Sequence, residues 1–213
     1  MTHEQKAITI FTDGASKGNP GPGGWAAVIF LPTEDKVVEL GGHEDRTTNN
    51  RMELQGAINA LLHIRHLPDD VTIHTDSSYL IQGITKWVKG WIKNGWTTQG
   101  REDVQNRDLW EILAAVMEER EEKNSTTEWK HVAGHSGIPG NERVDEIAST
   151  FAEKKNVELY IGPAADYGID LTSTVANRTK KTVKDTKKSR SSKPAYSYLS
   201  MIDGNIKTYK TWA

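Results

Sequence analysis

The sequence predicts an α/β fold: three antiparallel strands followed by strands separated by helices, forming one mixed sheet flanked by helices. Three observations carry this expectation. Two β-rich runs, I-T-I-F-T-D and V-T-I-H-T-D, each finish on an aspartate, Asp13 and Asp76. The first is followed by two further strand-like runs separated by turn residues. Beyond them, segments whose apolar residues recur at helical spacing alternate with short strands.

The first strand is expected over Ala7–Thr12, running into Asp13-Gly14, and a turn cluster Gly18-Asn19-Pro20-Gly21-Pro22-Gly23-Gly24 follows. Trp25–Leu31 and Val37–Gly41 complete an antiparallel meander. Asn49 or Asn50 caps a helix reaching about Ile64, with apolar positions at Met52, Leu54, Ala57, Ile58, Leu61 and Leu62. Pro68-Asp69-Asp70 ends that unit, and Val71–Thr75 is a fourth strand. A Trp-rich helical stretch from Ser77 to about Lys93, a polar loop over Thr97–Val104 and a helix from Arg107 to Lys123 follow. Thr127–Val132 is the fifth strand, then a Gly/His loop at 134–140 and a helix from Glu142 to Lys155.

The 213 residues suffice for one full domain and something smaller; 36% are hydrophobic and 26% charged, the balance of a globular chain. No apolar run approaches the roughly 18 residues that span a bilayer, and the N-terminal residues lack a secretory pattern. With no cysteine, disulfides and thiolate zinc sites are excluded. A cytoplasmic protein that binds metal through oxygen is expected, and nothing demands more than a monomer. The net charge of −2 hides an asymmetry: residues 1–172 carry 17 basic and 27 acidic side chains, whereas residues 173–194 carry eight basic and one acidic. Such a basic segment suits nucleic acid, although a solvated linker reads the same way. The expected division is a catalytic domain over 1–161, a basic linker over 162–195, and a hairpin-like segment over 196–213.

Four acidic residues fall where strand ends and helix starts are expected to converge. Asp13 and Asp76 lie just beyond their strands, while Glu53 and Asp145 lie near the starts of two helices. Taken singly, each is as well explained as a cap or turn residue. Together they form a cluster whose mutual repulsion calls for a hard cation. Two such ions about 4 Å apart serve in-line phosphoryl displacement.

The strings IFTDGASKGNPGPGGWAAV, TTNNRMELQGAINAL, TDSSYLIQGITKW and VAGHSGIPGNERVDEIA closely resemble type 1 ribonuclease H of the bacterial kind, over roughly residues 6–155. The resemblance implies the ribonuclease H-like fold, a five-stranded mixed sheet flanked by helices. It implies an endonuclease that cuts the RNA strand of RNA–DNA hybrids, leaving 5′-phosphate and 3′-hydroxyl ends. It implies two Mg²⁺ ions, replaceable by Mn²⁺, held by Asp13, Glu53, Asp76 and Asp145, with Glu142 in a secondary role. His135, in its Gly-rich loop, becomes an auxiliary that moves a proton or helps product leave. Asn19, Asn49 and Asn50 match positions contacting the RNA strand, and Thr48 and Asn106 match a pocket for a DNA phosphate.

The region around Trp87, Trp91 and Trp96 resembles the basic handle of the bacterial enzymes, with Trp87 placed to bind substrate. Trp91 and Trp110 read instead as helix-packing residues. The handle is diluted here: residues 86–107 carry five basic and two acidic residues, and Ile92 and Asn94 stand where relatives tend to be basic. Tyr196–Tyr198 and the residues after them resemble the opening of a small hybrid-binding module, here following the catalytic domain and incomplete. His63, His66 and His74 read as structural or surface residues. The alternative from another class is a non-catalytic hybrid-binding protein on the same fold, which predicts loss of a carboxylate; all four are present.

Overall fold

The computed structural model describes residues 7–172 and, of the remainder, only the backbone of two short strands. Strands β1 (Ile8–Ser16), β2 (Gly21–Leu31) and β3 (Lys36–Thr47) form the antiparallel meander. Helix α1 (Asn49–His63) crosses to β4 (Val71–Thr75), which pairs parallel with β1. Helix α2 (Ser78–Gln82), a π turn over Gly83–Trp87, α3 (Val88–Lys93) and α4 (Arg107–Glu122) lead to β5 (Thr127–His131), parallel to β4. Helix α5 (Pro139–Ala152) and β6 (Ile161–Pro163) complete the body, and the sheet order is β5-β4-β1-β2-β3-β6. Separately, β7 (Tyr198–Ile202) and β8 (Asn205–Tyr209) pair antiparallel.

The mixed sheet and its helices stand as expected, with four differences of physical origin. First, β1 does not end before Asp13: pairing with β2 continues through Asp13↔Ala26 to Ser16↔Gly23, so Asp13 lies inside a strand. For the same reason Gly21–Gly24, expected in the turn, belong to β2. At Gly24 a Cβ would run into the Ala148 carbonyl, so this glycine lets α5 lie directly on the sheet.

Second, the Trp-rich helical stretch is broken by the π turn at Gly83, where a Cβ would collide with the Trp110 indole. Third, α5 starts at Pro139, earlier than expected, because Ile138 is extended and proline fits the first helical position. Glu53 is accordingly in the second turn of α1, and Asp145 in the second turn of α5.

The fourth difference is a sixth strand. Residues 162–172, assigned by composition to the linker, pack onto the body: β6 pairs with β3 at Val37↔Gly162 and Lys36↔Pro163, and Leu171 is buried in the core cluster that holds Phe11, Val144 and Ile147. The part of the expected linker from residue 173 onward, and the side chains of the expected hairpin, lie outside the described residues.

Apolar residues of β1, β2, β4 and α1 fill one side of the sheet with side chains such as Ile10, Met52, Leu54, Ile58 and Ile73, all fully buried. At the far end of α4, Arg120 is also buried, and its guanidinium donates to the Asp69 carbonyl (2.8 Å), Ser125 Oγ (2.6 Å) and Thr127 Oγ1 (3.0 Å). This ties α4 to the start of both strands of the parallel β4–β5 ladder. Arg120→Ala removes three hydrogen bonds, leaving the Ser125 hydroxyl as the Asp69 carbonyl's side-chain donor, and opens a void. Stability should fall by about 2–4 kcal/mol in a urea titration, with catalysis at low temperature unchanged.

Candidate active site

The cleft begins with a register. β1 and β4 pair in parallel as Ile10↔Ile73 and Phe11↔His74, and the pairing stops there. The same offset carried two residues on brings Asp13 level with Asp76, at the point where β1 stays with β2 and β4 ends. Helix α1 is pressed against this place by two glycines. At Gly14 a Cβ would collide with Glu53 N and the Met52 backbone, and at Gly56 it would come within 2.9 Å of the Ala26 carbonyl and 3.2 Å of that of Asp13. Glu53 is thereby lowered onto the strand ends.

The result is a trio, Asp13, Glu53 and Asp76, with one carboxylate oxygen from each lying within 4.8 Å of the others. Asp13 is buried and Gly14 N–H donates to its Oδ1 at 2.8 Å. Burial, then the charges of Asp76 and Asp145, push its pKa up to about 7. Burial, then Asp13 and Asp76, hold Glu53 well above the usual carboxylate range. Asp76, half-buried, is raised chiefly by burial. Asn49 Nδ2 donates to Glu53 Oε1 at 3.3 Å, while Glu53 Oε2 is buried without a hydrogen-bond partner. Hard oxygen donors, mutual repulsion and an unpartnered buried oxygen are what a divalent cation satisfies, so the residues fit one.

Asp145 lines the same cleft but stands outside the trio, in reach of Ser149 Oγ (3.4 Å) and His135 Nδ1 (3.7 Å). His135 is at the lip, its side chain 81% exposed and its φ at 51°. A Cβ on neighbouring Gly134 would approach Asp76 Oδ2 at 2.7 Å, so glycine is required for the loop to pass so near. The whole cleft has a volume of about 510 Å³.

Of the residues singled out in the sequence, Asp13, Glu53, Asp76, Asp145, His135, Asn49, Asn50 and Glu142 line this one cleft. Asn19, Thr48, Asn106 and Trp87 are not among its lining residues. Asn19 is exposed on the β1–β2 turn, and Thr48 is the N-cap of α1. Asn106 precedes α4 in a left-handed conformation (φ 58°) and gives an amide hydrogen to the Tyr79 hydroxyl at 3.1 Å.

Sequence reasoning passed over Tyr79. It lines the cleft, and its hydroxyl also receives the Trp110 Nε1–H at 2.9 Å. The signal was its place in the first turn after Asp76, where a helix start turns a side chain back over the strand ends. Trp110 is fully buried and Trp91 packs against it edge-on at 5.6 Å, as the packing reading expects. His74 is likewise buried, stacked on Phe11 at 4.8 Å.

Carboxylates gathered at the ends of paired central strands, on a mixed sheet flanked by helices, define the ribonuclease H-like class of nucleases. The sequence model of the family described as RNase H matches residues 5–153. A Ribonuclease H of Novosphingobium aromaticivorans is 49% identical over 147 residues, covering 69% of this chain and 97% of that protein. A Ribonuclease HI of Pseudomonas syringae pv. tomato is 48% identical over 143 residues, covering 67% and 90%. Two solved structures, each 25% identical, share the fold. LC9-RNase H1, a type 1 RNase H with the type 2 active-site motif, has a TM-score of 0.58 over 78% of this chain and 82% of that one. LC11-RNase H1 in complex with RNA/DNA hybrid has a TM-score of 0.50 over 69% and 97%. The chain belongs to the ribonuclease H family, in its type 1, bacterial ribonuclease HI branch, and is a hydrolytic endonuclease.

The crowding of carboxylates has a measurable consequence. A carboxyl whose pKa is higher in the folded than in the unfolded chain favours folding while protonated, and that contribution is lost as pH rises from about 4 through about 7. In EDTA, the wild type should therefore lose stability across this range. Asp13→Asn removes the charge, and at pH 8 in EDTA it should be more stable than wild type by on the order of 1–4 kcal/mol. An equal or lower melting temperature for the variant would contradict the geometry described.

Proposed function

We propose that the cleft hydrolyses the RNA strand of RNA–DNA hybrids with the aid of two divalent cations, Mg²⁺ or Mn²⁺, leaving 5′-phosphate and 3′-hydroxyl ends. The observation that carries this is the buried trio, whose Glu53 has an oxygen without a partner. Asp13, Glu53 and Asp76 would hold the ions, with Asp145 completing the set. When bound, such ions acidify a water and neutralise charge building up on the phosphate and the leaving oxygen.

The remaining work belongs to the chain itself. Asn49 restrains Glu53 through its amide, and Asn50 is exposed beside it at the cleft. A small amide both donates and accepts, which suits a 2′-hydroxyl and distinguishes RNA from DNA. Asn19, on its exposed turn, serves the same strand. Thr48 and Asn106 take a phosphate of the DNA strand, with Trp87 on the handle beside them. His135, exposed and 3.7 Å from Asp145, moves a proton at the mouth of the cleft. Glu142 accepts the Gly137 N–H at 3.1 Å and so steadies that loop. A hybrid-binding protein without catalysis would have no need of four acidic side chains around one cleft.

We also place the enzyme in the cytoplasm as a monomer, a reading supported by the cysteine-free sequence; among the described residues no helix is long and apolar enough to cross a membrane. Substrate capture draws on the basic segment over 173–194, because the body through residue 172 carries ten more acidic than basic side chains.

The decisive assay is cleavage of a labelled hybrid with Mg²⁺. Asp13→Asn should lower kcat by at least about 10³-fold, several kcal/mol of barrier; equal rates would end the proposed mechanism. His135→Ala should lower kcat by about 10²-fold with the hybrid Kd unchanged. Removing residues 173–213 should weaken hybrid binding and flatten its dependence on salt, while single-turnover cleavage of saturated complex stays intact. Identical affinity across a salt series would discount the basic segment.

A further inference from the structure

An ion pair between buried Glu39 and partly buried Arg143, neither lining the cleft, has no part in the chemistry above. Glu39 on β3 is 1% exposed, and both its oxygens are saturated. Oε1 accepts from Arg143 Nε (2.7 Å) and the Tyr167 hydroxyl (2.6 Å), and Oε2 from Arg143 Nη2 (2.9 Å) and Tyr160 N–H (2.9 Å). Arg143 uses four of its five N–H groups, two on Glu39 and the others on Glu146 (2.9 Å) and the Glu158 carbonyl (3.3 Å). Two of Glu39's four donors come from residues 157–171, a strap lying beyond the part of the chain that the family's sequence model matches.

Arg143 is two residues from Asp145 on α5. Around Asp145 the helix meets the sheet through Val144, Ile147 and Ala148, all buried and apolar, a packing that is not directional. The polar ties of α5 to β3 other than Arg143, from His43 to the Phe151 carbonyl (3.0 Å) and from Lys154 to Asp45, lie at its C-terminal end, away from Asp145. A forked guanidinium on a saturated, buried carboxylate is directional. Asp145 has little to hold it in place, only a 3.4 Å approach by Ser149 and the exposed His135. Its position relative to the trio is inherited from the helix.

We propose that the Glu39–Arg143 pair, completed by Tyr160 and Tyr167 of the strap, sets the position of Asp145 and through it the cleft's affinity for divalent cation. Arg143 is a positioning residue. The proposal rests on the reading of the carboxylates as cation ligands and goes beyond it by assigning part of the site's affinity to the strap.

The test is Mn²⁺ binding to the full-length protein without substrate, followed by the paramagnetic resonance of the free ion. Arg143→Lys keeps the charge and loses the fork, and should weaken Mn²⁺ binding by about tenfold. Tyr167→Phe removes one hydrogen bond and should weaken it less. Leu113→Ala, a core change in α4, lowers melting temperature but should leave the Mn²⁺ Kd as in wild type. In an Asp145→Asn background, Arg143→Lys should have no further effect on Kd. Unchanged Mn²⁺ affinity in Arg143→Lys overturns the proposal, as does an equal loss in the Asp145→Asn background. Loss of Mn²⁺ binding in Asp13→Asn supports the cation reading independently, so the two ideas fail separately.

Discussion

Much of this protein follows from holding like charges together in a place with little water. Left to themselves, Asp13, Glu53 and Asp76 would separate or stay protonated. They stay together because the backbone under them is committed elsewhere, and their raised pKa values record the crowding. Asp13 is locked in a strand whose pairing with β2 runs on past it, Asp76 follows the last residue of a buried strand, and Glu53 is carried by a helix lying directly on β1. The core pays for this arrangement: fully buried Ile10, Met52, Leu54, Ile58 and Ile73 gain more from burial than the carboxylates lose by crowding. The raised pKa of Asp13 measures the tension that remains.

Close approach is the second constraint, and it explains where glycine is needed. Gly14 and Gly56 let α1 descend onto β1, and Gly24 does the same for α5 over β2. In each case the missing Cβ is occupied by backbone of the opposing element, which cannot move aside as a side chain could. These positions set the depth of Glu53 and the level of α5. A substitution at any of them acts on the site by lifting a helix, without touching a carboxylate.

Around this rigid floor the cleft has a softer rim. His135 stands in a left-handed loop with most of its surface in solvent, and Asp145 has few partners of its own. On the proposed mechanism, a site that binds and releases a long polymer benefits from such a division, with the buried carboxylates below and the exposed His135 above. The aromatic cluster of Tyr79, Trp87, Trp91 and Trp110 is intermediate: Trp110 is buried as a post, and Tyr79 bridges it to Asn106 and to the cleft.

The order of strands and helices and the gathering of the four carboxylates with His135, Asn49 and Asn50 at one cleft were legible in the sequence, from β-rich runs ending in Asp, helical spacing, and unbroken motifs that resemble ribonuclease H. What the sequence left undecided depends on pairs distant along the chain. That β1 continues through Asp13 is decided by pairing with Ala26, and the break at Gly83 by the Trp110 ring. From residue 162 onward the strap reads as linker because its Gly, Pro and polar content shows no periodicity. It is nonetheless held to the body through Tyr167 by Glu39, more than 100 residues earlier in the chain. Local pattern and the resemblance to ribonuclease H thus determined which groups were expected at the cleft. Only tertiary structure decided how close they stand and what holds them there, since hydrogen-bond register and steric contact between remote segments leave no local trace.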